Sequence, residues 1–209
     1  MAIQDIYQAI LELDEAKVKE LTQQEITAGT DVYSILNDGM IPAMDEVGKR
    51  FSEGKLFLPE MLRAAQAMKA GVSILKPLLT GSTQVYKGVV VIGTVKGDLH
   101  DIGKNLVAMM IEGAGFRVVD LGTDVDAEKF IKASKNHNAD VVGLSALLTT
   151  TMPAMEATIA AIKEAAPSVK TIVGGAPVTQ QFADQIGADG YSDDAPGAAQ
   201  LVQKLIKEQ

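Results

Sequence analysis

The stretch Val89-Val90-Val91-Ile92-Gly93-Thr94-Val95-Lys96-Gly97-Asp98-Leu99-His100-Asp101-Ile102-Gly103-Lys104-Asn105 decides how the rest of the chain is read. It opens with a continuous β-branched run, the pattern of a strand covered on both faces in a parallel sheet. It closes where a helical pattern begins, from Ile102 to Gly113, with Leu106, Met109 and Met110 on the inward side. Between them lies a polar loop at the carboxyl end of the strand, where a doubly wound fold places its ligand. The loop carries neither the GxGxxG dinucleotide pattern nor the GxxxxGK[ST] phosphate loop. It offers one histidine flanked by two acids and followed by a glycine.

Toward the C-terminus, strands and helices go on alternating. Phe116 to Leu121 reads as a second strand, and Asp126 caps a helix carrying Phe130 and Ile131. Ala139 to Leu144 is a third strand. Pro153 stands in the first turn of a helix with Met155, Ile159 and Ile162. Thr171 to Val173 is a fourth strand, followed by a short helix from Val178 to Ile186 and a short strand near Tyr191. A last helix holds Leu201, Val202 and Leu205. This alternation implies right-handed crossovers and a parallel sheet, an α/β flavodoxin-like (Rossmann-like) domain over residues 85–209.

Toward the N-terminus the texture is helical only. Asp14 caps a segment with Val18, Leu21 and Ile26, stopped near Gly29. Asp31 caps a short helix with Val32, Ile35 and Leu36 that is expected to end at Gly39. Ile41, Met44, Val47 and Phe51 follow at helical spacing until Gly54, and Met61, Ala65, Met68, Val72 and Leu75 form a bundle seam. Residues 1–84 therefore read as a helical bundle, joined to the second half through the polar connector Thr80-Gly81-Ser82-Thr83-Gln84. The nine methionines suit ordinary bundle filling.

Composition narrows the chemistry. The chain has 209 residues, enough for one large domain or two small ones. With no cysteine, disulfides, thiolate metal sites, iron–sulfur clusters and cysteine nucleophiles are excluded. The formal net charge of -8 argues against a nucleic-acid partner, which needs a basic face. No apolar stretch approaches the roughly 20 residues of a membrane span. The acidic N-terminus lacks the basic region of a signal peptide, so a cytoplasmic location is expected.

The loop has the logic of a tuned metal ligand. A neutral imidazole binds metal through one nitrogen while the other donates to a carboxylate, which fixes the tautomer and raises basicity. Asp98, two residues before His100, is close enough in sequence for the loop to fold its carboxylate back. Gly103 has no Cβ to keep a cofactor away. One histidine and no cysteine are too few for a structural zinc site, so a metal would arrive already held by a macrocycle. The plain alternative is an ordinary polar loop histidine. His137, in Asn136-His137-Asn138, reads as a solvated loop residue.

Asp98-Leu99-His100-Asp101-Ile102-Gly103 resembles the D-x-H-x-x-G signature of cobalamin-binding domains. Ser145-Ala146-Leu147 after the third strand resembles the family's S-x-L, and Gly174-Gly175 after the fourth its G-G. The stretch from Val47 to Met68, with Phe51, Gly54-Lys55, Phe57-Leu58-Pro59 and Met61, is similar to the helical cap of methionine-synthase-type cobalamin modules. In size and two-domain plan the chain resembles the corrinoid proteins of methylamine, methanol and aryl-ether methyltransferase systems.

The resemblance implies a methyl carrier. A corrinoid such as methylcobalamin would bind base-off, its nucleotide tail threaded into the α/β domain, with His100 as the ligand below the cobalt. Asp98 would hydrogen-bond His100, and Thr151 falls where the family's third relay hydroxyl, usually serine, sits. Gly97, Asp98, Leu99, His100, Asp101, Ile102 and Gly103 would form the cofactor loop. Ser145 and Thr149 would face the nucleotide base with Leu147 nearby, Gly174 and Gly175 would let the tail pass, and Ala195 aligns with a tail contact. Phe51 and Leu58 would cover the methyl-bearing face and swing aside, with the 80–84 connector as hinge. The implied partners are a substrate-specific methyltransferase subunit, a second methyltransferase to tetrahydrofolate or a thiol coenzyme, and a reductive activase. The chain would be a subunit of a methyltransferase system, with no nucleic acid and no membrane involved.

Other readings of the same residues stay open at this point. Phe51 and Leu58 suit simple core, Gly174-Gly175 a plain turn, and Thr149, Thr150 and Thr151 helix-capping hydroxyls. A cobalamin-responsive sensor shares the cap-plus-corrinoid plan but needs a DNA-binding module. The corrinoid subunit of a mutase shares D-x-H-x-x-G but lacks this cap. A flavodoxin-like domain without a corrinoid is the remaining alternative.

Overall fold

The computed structural model of the chain describes residues 2–75, 77–78 and 86–207. The connector at 80–84, read as a hinge, and the expected boundary between residues 84 and 85 lie outside them. The chain divides into two compact units, Met1–Lys87 with Glu112–Gly115, and Gly88–Ile111 with Phe116–Gln209. No helix among the described residues is long and apolar enough to cross a membrane.

The first unit is helical. It contains α1 (Ala2–Leu11), α2 (Glu15–Thr27), α3 (Val32–Ser34), α4 (Ile41–Ser52) and α5 (Leu58–Leu75), with a π-helical turn over Ile35–Met40. Asp14 caps α2 by accepting the Lys17 N–H at 3.0 Å, and Asp31 caps α3 through Ser34 N. The apolar faces meet inside: Ile6, Ala9 and Ile10 of α1, Val18 of α2, and Met61, Ala65, Met68 and Leu75 of α5 are buried. Gly71 lets α5 lie close, since a Cβ there would fall 2.6 Å from Met40 Cε and 3.0 Å from Val18 Cγ1.

The expected stop at Gly39 does not occur. The backbone stays helical through the π turn, where Ile41 N reaches back five residues to Leu36 O, and runs on into α4. A proline clashes with the carbonyl four residues before it in a regular helix, and a wider turn ahead of Pro42 relieves this. Gly39 serves close packing instead: a Cβ there would lie 3.1 Å from Ile3 Cγ2 and 3.2 Å from Ile3 O.

The second unit is α/β. Its elements are β1 (Val89–Thr94), α6 (Ile102–Gly113), β2 (Arg117–Asp120), α7 (Ala127–His137), β3 (Val141–Ser145), α8 (Met152–Ala165), β4 (Lys170–Gly174), α9 (Gln180–Ile186), β5 (Gly190–Tyr191) and α10 (Ala195–Lys207). All the strand pairs are parallel, in the order β2-β1-β3-β4-β5. The flavodoxin-like expectation holds, and the chain reverses direction across the sheet between β1 and β3. Register aligns the carboxyl ends there: Thr94 pairs with Ser145, and Ser145 with Gly174. Val91, Val142, Val173, Phe130, Met155, Ile159 and Ile162 form the core beneath that edge.

Two details differ from expectation. In α6, Met110 is buried but Leu106 and Met109 are only half-buried. The inward stripe is Lys104, Ala108 and Ile111, one residue type of which no hydropathy pattern would select. Lys104 can be buried because its Nζ meets Asp120 Oδ2 at 2.5 Å and Asn105 Oδ1 at 2.6 Å. His137 is not a loop residue: it ends α7, half-buried, with Nδ1 3.5 Å from Arg117 Nη2. Asn138 closes that helix in the left-handed conformation, φ 50°.

Candidate functional site

The site grows from the end of β1. Val95 continues the sheet by one bridge to Val125 and donates its N–H to Ser145 O at 3.0 Å. Gly97 then turns the chain at φ +83°, a value few other residues adopt. This brings the side chain of Asp98 back under the loop, where it is fully buried. Such a carboxylate survives only if its lone pairs are used.

They are. Oδ1 accepts the backbone N–H of His100 at 3.0 Å and lies 2.8 Å from the ring Nδ1 of the same residue. Oδ2 accepts the N–H groups of Leu147 at 2.8 Å and Leu148 at 3.3 Å, and the hydroxyl of Thr151 at 2.8 Å. Thr151 Oγ1 is also 2.8 Å from Leu148 O, so its single proton serves one acceptor at a time. Asp98 thus ties the loop after β1 to the loop after β3. Burial pushes its carboxyl up. The hydrogen bonds from His100 N, Leu147 N, the His100 ring and Thr151 outweigh this and hold it well below the usual carboxylate range.

An ionised Asp98 settles the histidine's chemistry. It accepts a hydrogen bond from Nδ1–H, a tautomer that leaves the Nε2 lone pair available. The His100 side chain is 52% exposed, and among the described residues no group bonds Nε2. The surroundings are apolar and wet: Leu99 is 73% exposed and Ile102 79%, with Leu147 and Leu148 also exposed. Large aliphatic side chains clustered at a ligand edge mark a surface built to be covered.

These residues fit a corrinoid. Among the described residues no three His, Asp or Glu side chains come together to cage a bare ion. One imidazole nitrogen amid aliphatic side chains suits a metal whose other positions a flat macrocycle already fills. Gly103 adds to the fit. A Cβ there would meet nothing within 4 Å, so packing within the chain does not require this glycine, although it costs helix stability in the first turn of α6. Gly175 is the opposite case. At φ +129° its Cβ would stand 1.9 Å from Ala146 O, so the meeting of the loops after β3 and β4 itself demands glycine. A Cβ at Gly174 would lie 3.1 Å from Ser192 O, and one at Gly97 3.7 Å from Thr151 Cγ2.

The remaining expected residues fall as follows. Ser145 is half-buried and Thr149 exposed, both on the carboxyl edge of the sheet. Asp101 is exposed and accepts Asn105 Nδ2 at 3.1 Å, opening α6. Ala195 begins α10 and is half-buried. In the helical unit, Phe51 is half-buried near the end of α4 and Leu58 is exposed at the start of α5. Phe57 beside it is 70% exposed, more than either.

Sequence reasoning missed the groups that hold the loop from behind. Thr94 Oγ1 donates to His100 O at 2.9 Å, and Asp124 bonds both Gly97 and Asp98. The available signal was position: Asp124 follows β2, on the same carboxyl edge of the sheet.

The chain is similar to known proteins along both of its units. A family model described as a B12 binding domain matches residues 88–199, and a second B12 binding domain model matches residues 2–76. A corrinoid protein of Desulfitobacterium hafniense (strain Y51) is 41% identical over 98% of this chain and 97% of its own length. A trimethylamine corrinoid protein of Methanosarcina mazei is 44% identical over 95% of this chain and 93% of its own length. Among solved structures, the methanol:cobalamin methyltransferase complex MtaBC from Methanosarcina barkeri aligns with a TM-score of 0.89 at 34% identity, covering 100% of this chain and 80% of that one.

Proposed function

Because the chain belongs to the corrinoid-protein family of B12 binding domains, we propose that it is a methyl carrier whose His100 Nε2 ligates the lower face of a base-off corrinoid. When bound, a corrinoid would supply the cobalt chemistry for carrying a methyl group between partner proteins. The protein's share is to hold, orient and shield. His100 presents Nε2, and Asp98 keeps the Nδ1 proton in place and the ring turned. Thr151 steadies Asp98, and the three groups give the site a place to take up a proton at Nε2 when the ring is released.

By family resemblance, Ser145, Leu147 and Thr149 take the nucleotide base, Gly174, Gly175 and Ala195 line the path of the tail, and Phe51 and Leu58 cover the methyl-bearing face. The partners are a substrate-specific methyltransferase and a second methyltransferase acting on tetrahydrofolate or a thiol coenzyme, with a reductive activase to restore the cobalt. Relatives named for trimethylamine and a structural neighbour named for methanol support a small methylated donor chosen by the partner subunit.

The observation that carries this reading is Asp98 occupied from both sides, with the His100 ring held by Nδ1 in an apolar, exposed setting. The test is reconstitution with cobalamin whose dimethylbenzimidazole is 15N-labelled, followed by reduction to cobalt(II). The paramagnetic spectrum should show the three-line coupling of an unlabelled imidazole nitrogen, and His100→Ala should lose it. Two-line coupling from the labelled base, or an unchanged spectrum in the variant, would remove His100 from the ligand role.

A further inference from the structure

We infer that Asp124 is a positioning residue for His100, acting through the backbone on either side of Asp98. The inference rests on the ligand reading of His100 and adds to it a group that makes no bond to the imidazole itself. Asp124 sits in the loop between β2 and α7 at φ 54°, a left-handed conformation that few non-glycine residues other than Asn and Asp adopt. Sparse backbone conformations persist where surrounding bonds over-determine them. Two such bonds lead to the ligand loop. Asp124 Oδ1 accepts the Gly97 N–H at 2.8 Å, and the Asp124 N–H donates to Asp98 O at 2.9 Å. The next residue fastens the same place, with Val125 N donating to Thr94 O at 3.0 Å.

The bonds are reciprocal and bracket the Gly97-Asp98 pair. Gly97 N–H enters the turn and Asp98 C=O leaves it, so Asp124, together with the Asp98 N–H donating to Val95 O at 3.1 Å, holds the backbone that carries the Asp98 side chain. The following loop holds Oδ2 of Asp98, through Leu147, Leu148 and Thr151. Oδ1 can face the His100 ring only while the backbone behind it keeps its turn. Thr94 Oγ1 supports the other end of the loop at His100 O. Asp124 and Gly97 are both exposed. Groups freed at this contact would be hydrated, so its loss should disturb orientation more than stability.

Asp124→Gly removes the carboxylate and accepts φ 54° without strain. Asp124→Asn keeps an oxygen for Gly97 N–H. The first readout uses apoprotein, independent of any cobalt ligation. The chain has two histidines, so the ring 15N shifts of His100 are readily assigned. At a pH where the ring is neutral, the ratio of Nδ1–H to Nε2–H tautomer should fall by roughly two- to tenfold in Asp124→Gly, the range expected from one lost hydrogen bond. Asp124→Asn should stay near wild type, and the urea midpoint of both should change little. The second readout is the cobalt(II) spectrum of cobalamin-loaded protein, in which Asp124→Gly should show a smaller imidazole-ligated fraction. An unchanged tautomer ratio in Asp124→Gly, or a loss of stability as large as the loss of orientation, would overturn the inference. If His100→Ala leaves the cobalt spectrum unchanged, the ligand reading fails, and the tautomer ratio still decides whether Asp124 orients the ring.

Discussion

Thr151 donates its hydroxyl to Oδ2 of Asp98 at 2.8 Å across 53 residues of sequence, joining the loop after β1 to the N-cap of α8 at the end of the loop after β3. Thr151 is 7% exposed, so water cannot readily replace the bond. Thr151→Val keeps the shape and deletes the donor, and it should destabilise the apoprotein by about 1–2 kcal/mol. Thr151→Ser should recover most of that loss, because the hydroxyl rather than the methyl does the holding. Urea unfolding of the three proteins checks this. Equal midpoints for wild type and the Val variant would mean that Leu147 and Leu148 N–H hold Asp98 unaided.

Asp98 should make stability depend on pH with a definite sign. Its folded carboxyl lies below the unfolded value of about 3.9, so its contribution is complete above the ordinary carboxylate range and is lost as pH falls through it toward the folded value. Asp98→Asn places an NH2 against N–H and O–H donors, which should cost about 2–4 kcal/mol at neutral pH. The difference between wild type and variant should narrow below about pH 4, while carboxylates common to both cancel. A gap that stays constant down to low pH would show that the ionised form is not what the loop needs.

How far these residues could be read from the sequence depended on whether the cause was local. Val89 to Ile92 announce a doubly covered strand because both faces are apolar, and Asp14, Asp31 and Asp126 are caps whose partners stand three residues on. His100 and Asp98 could be paired because the acid is two residues away. Thr151 came only from family resemblance, since its bond spans two loops. Asp124 and Thr94 were missed because their partners are backbone groups that only the folded turn exposes. Gly39 misled because glycine stops helices and also admits close packing, and only the neighbour Ile3 tells the two apart. No hydropathy pattern selects Lys104 for the interior, because its counter-charge, Asp120, stands 16 residues on.

The lid assignment makes a photochemical prediction. Protein loaded with methylcobalamin should lose its methyl group to light faster in Phe51→Ala than in wild type, because an opened cage lets the radical pair separate. Leu58→Ala should act in the same direction. Phe57, 70% exposed, is the comparison residue: Phe57→Ala should match wild type if shielding belongs to Phe51 and Leu58. Equal photolysis rates in all of these proteins would argue against a lid at these positions.

Two glycines at the same sheet edge should respond to alanine in opposite ways. At Gly175 the new Cβ would stand 1.9 Å from Ala146 O at φ +129°, so backbone must move. Gly175→Ala should therefore lose about 3 kcal/mol or more, with or without corrinoid. At Gly103 the new Cβ would meet nothing within 4 Å, and the residue lies in the first turn of α6. Gly103→Ala should therefore stabilise the apoprotein, by up to about 1 kcal/mol. If the open space at Gly103 exists for the cofactor, that same variant should bind cobalamin more weakly than wild type while unfolding at higher urea. A Gly103→Ala protein that gains stability and keeps full corrinoid affinity would show that the fold tolerates this glycine without the cofactor requiring it.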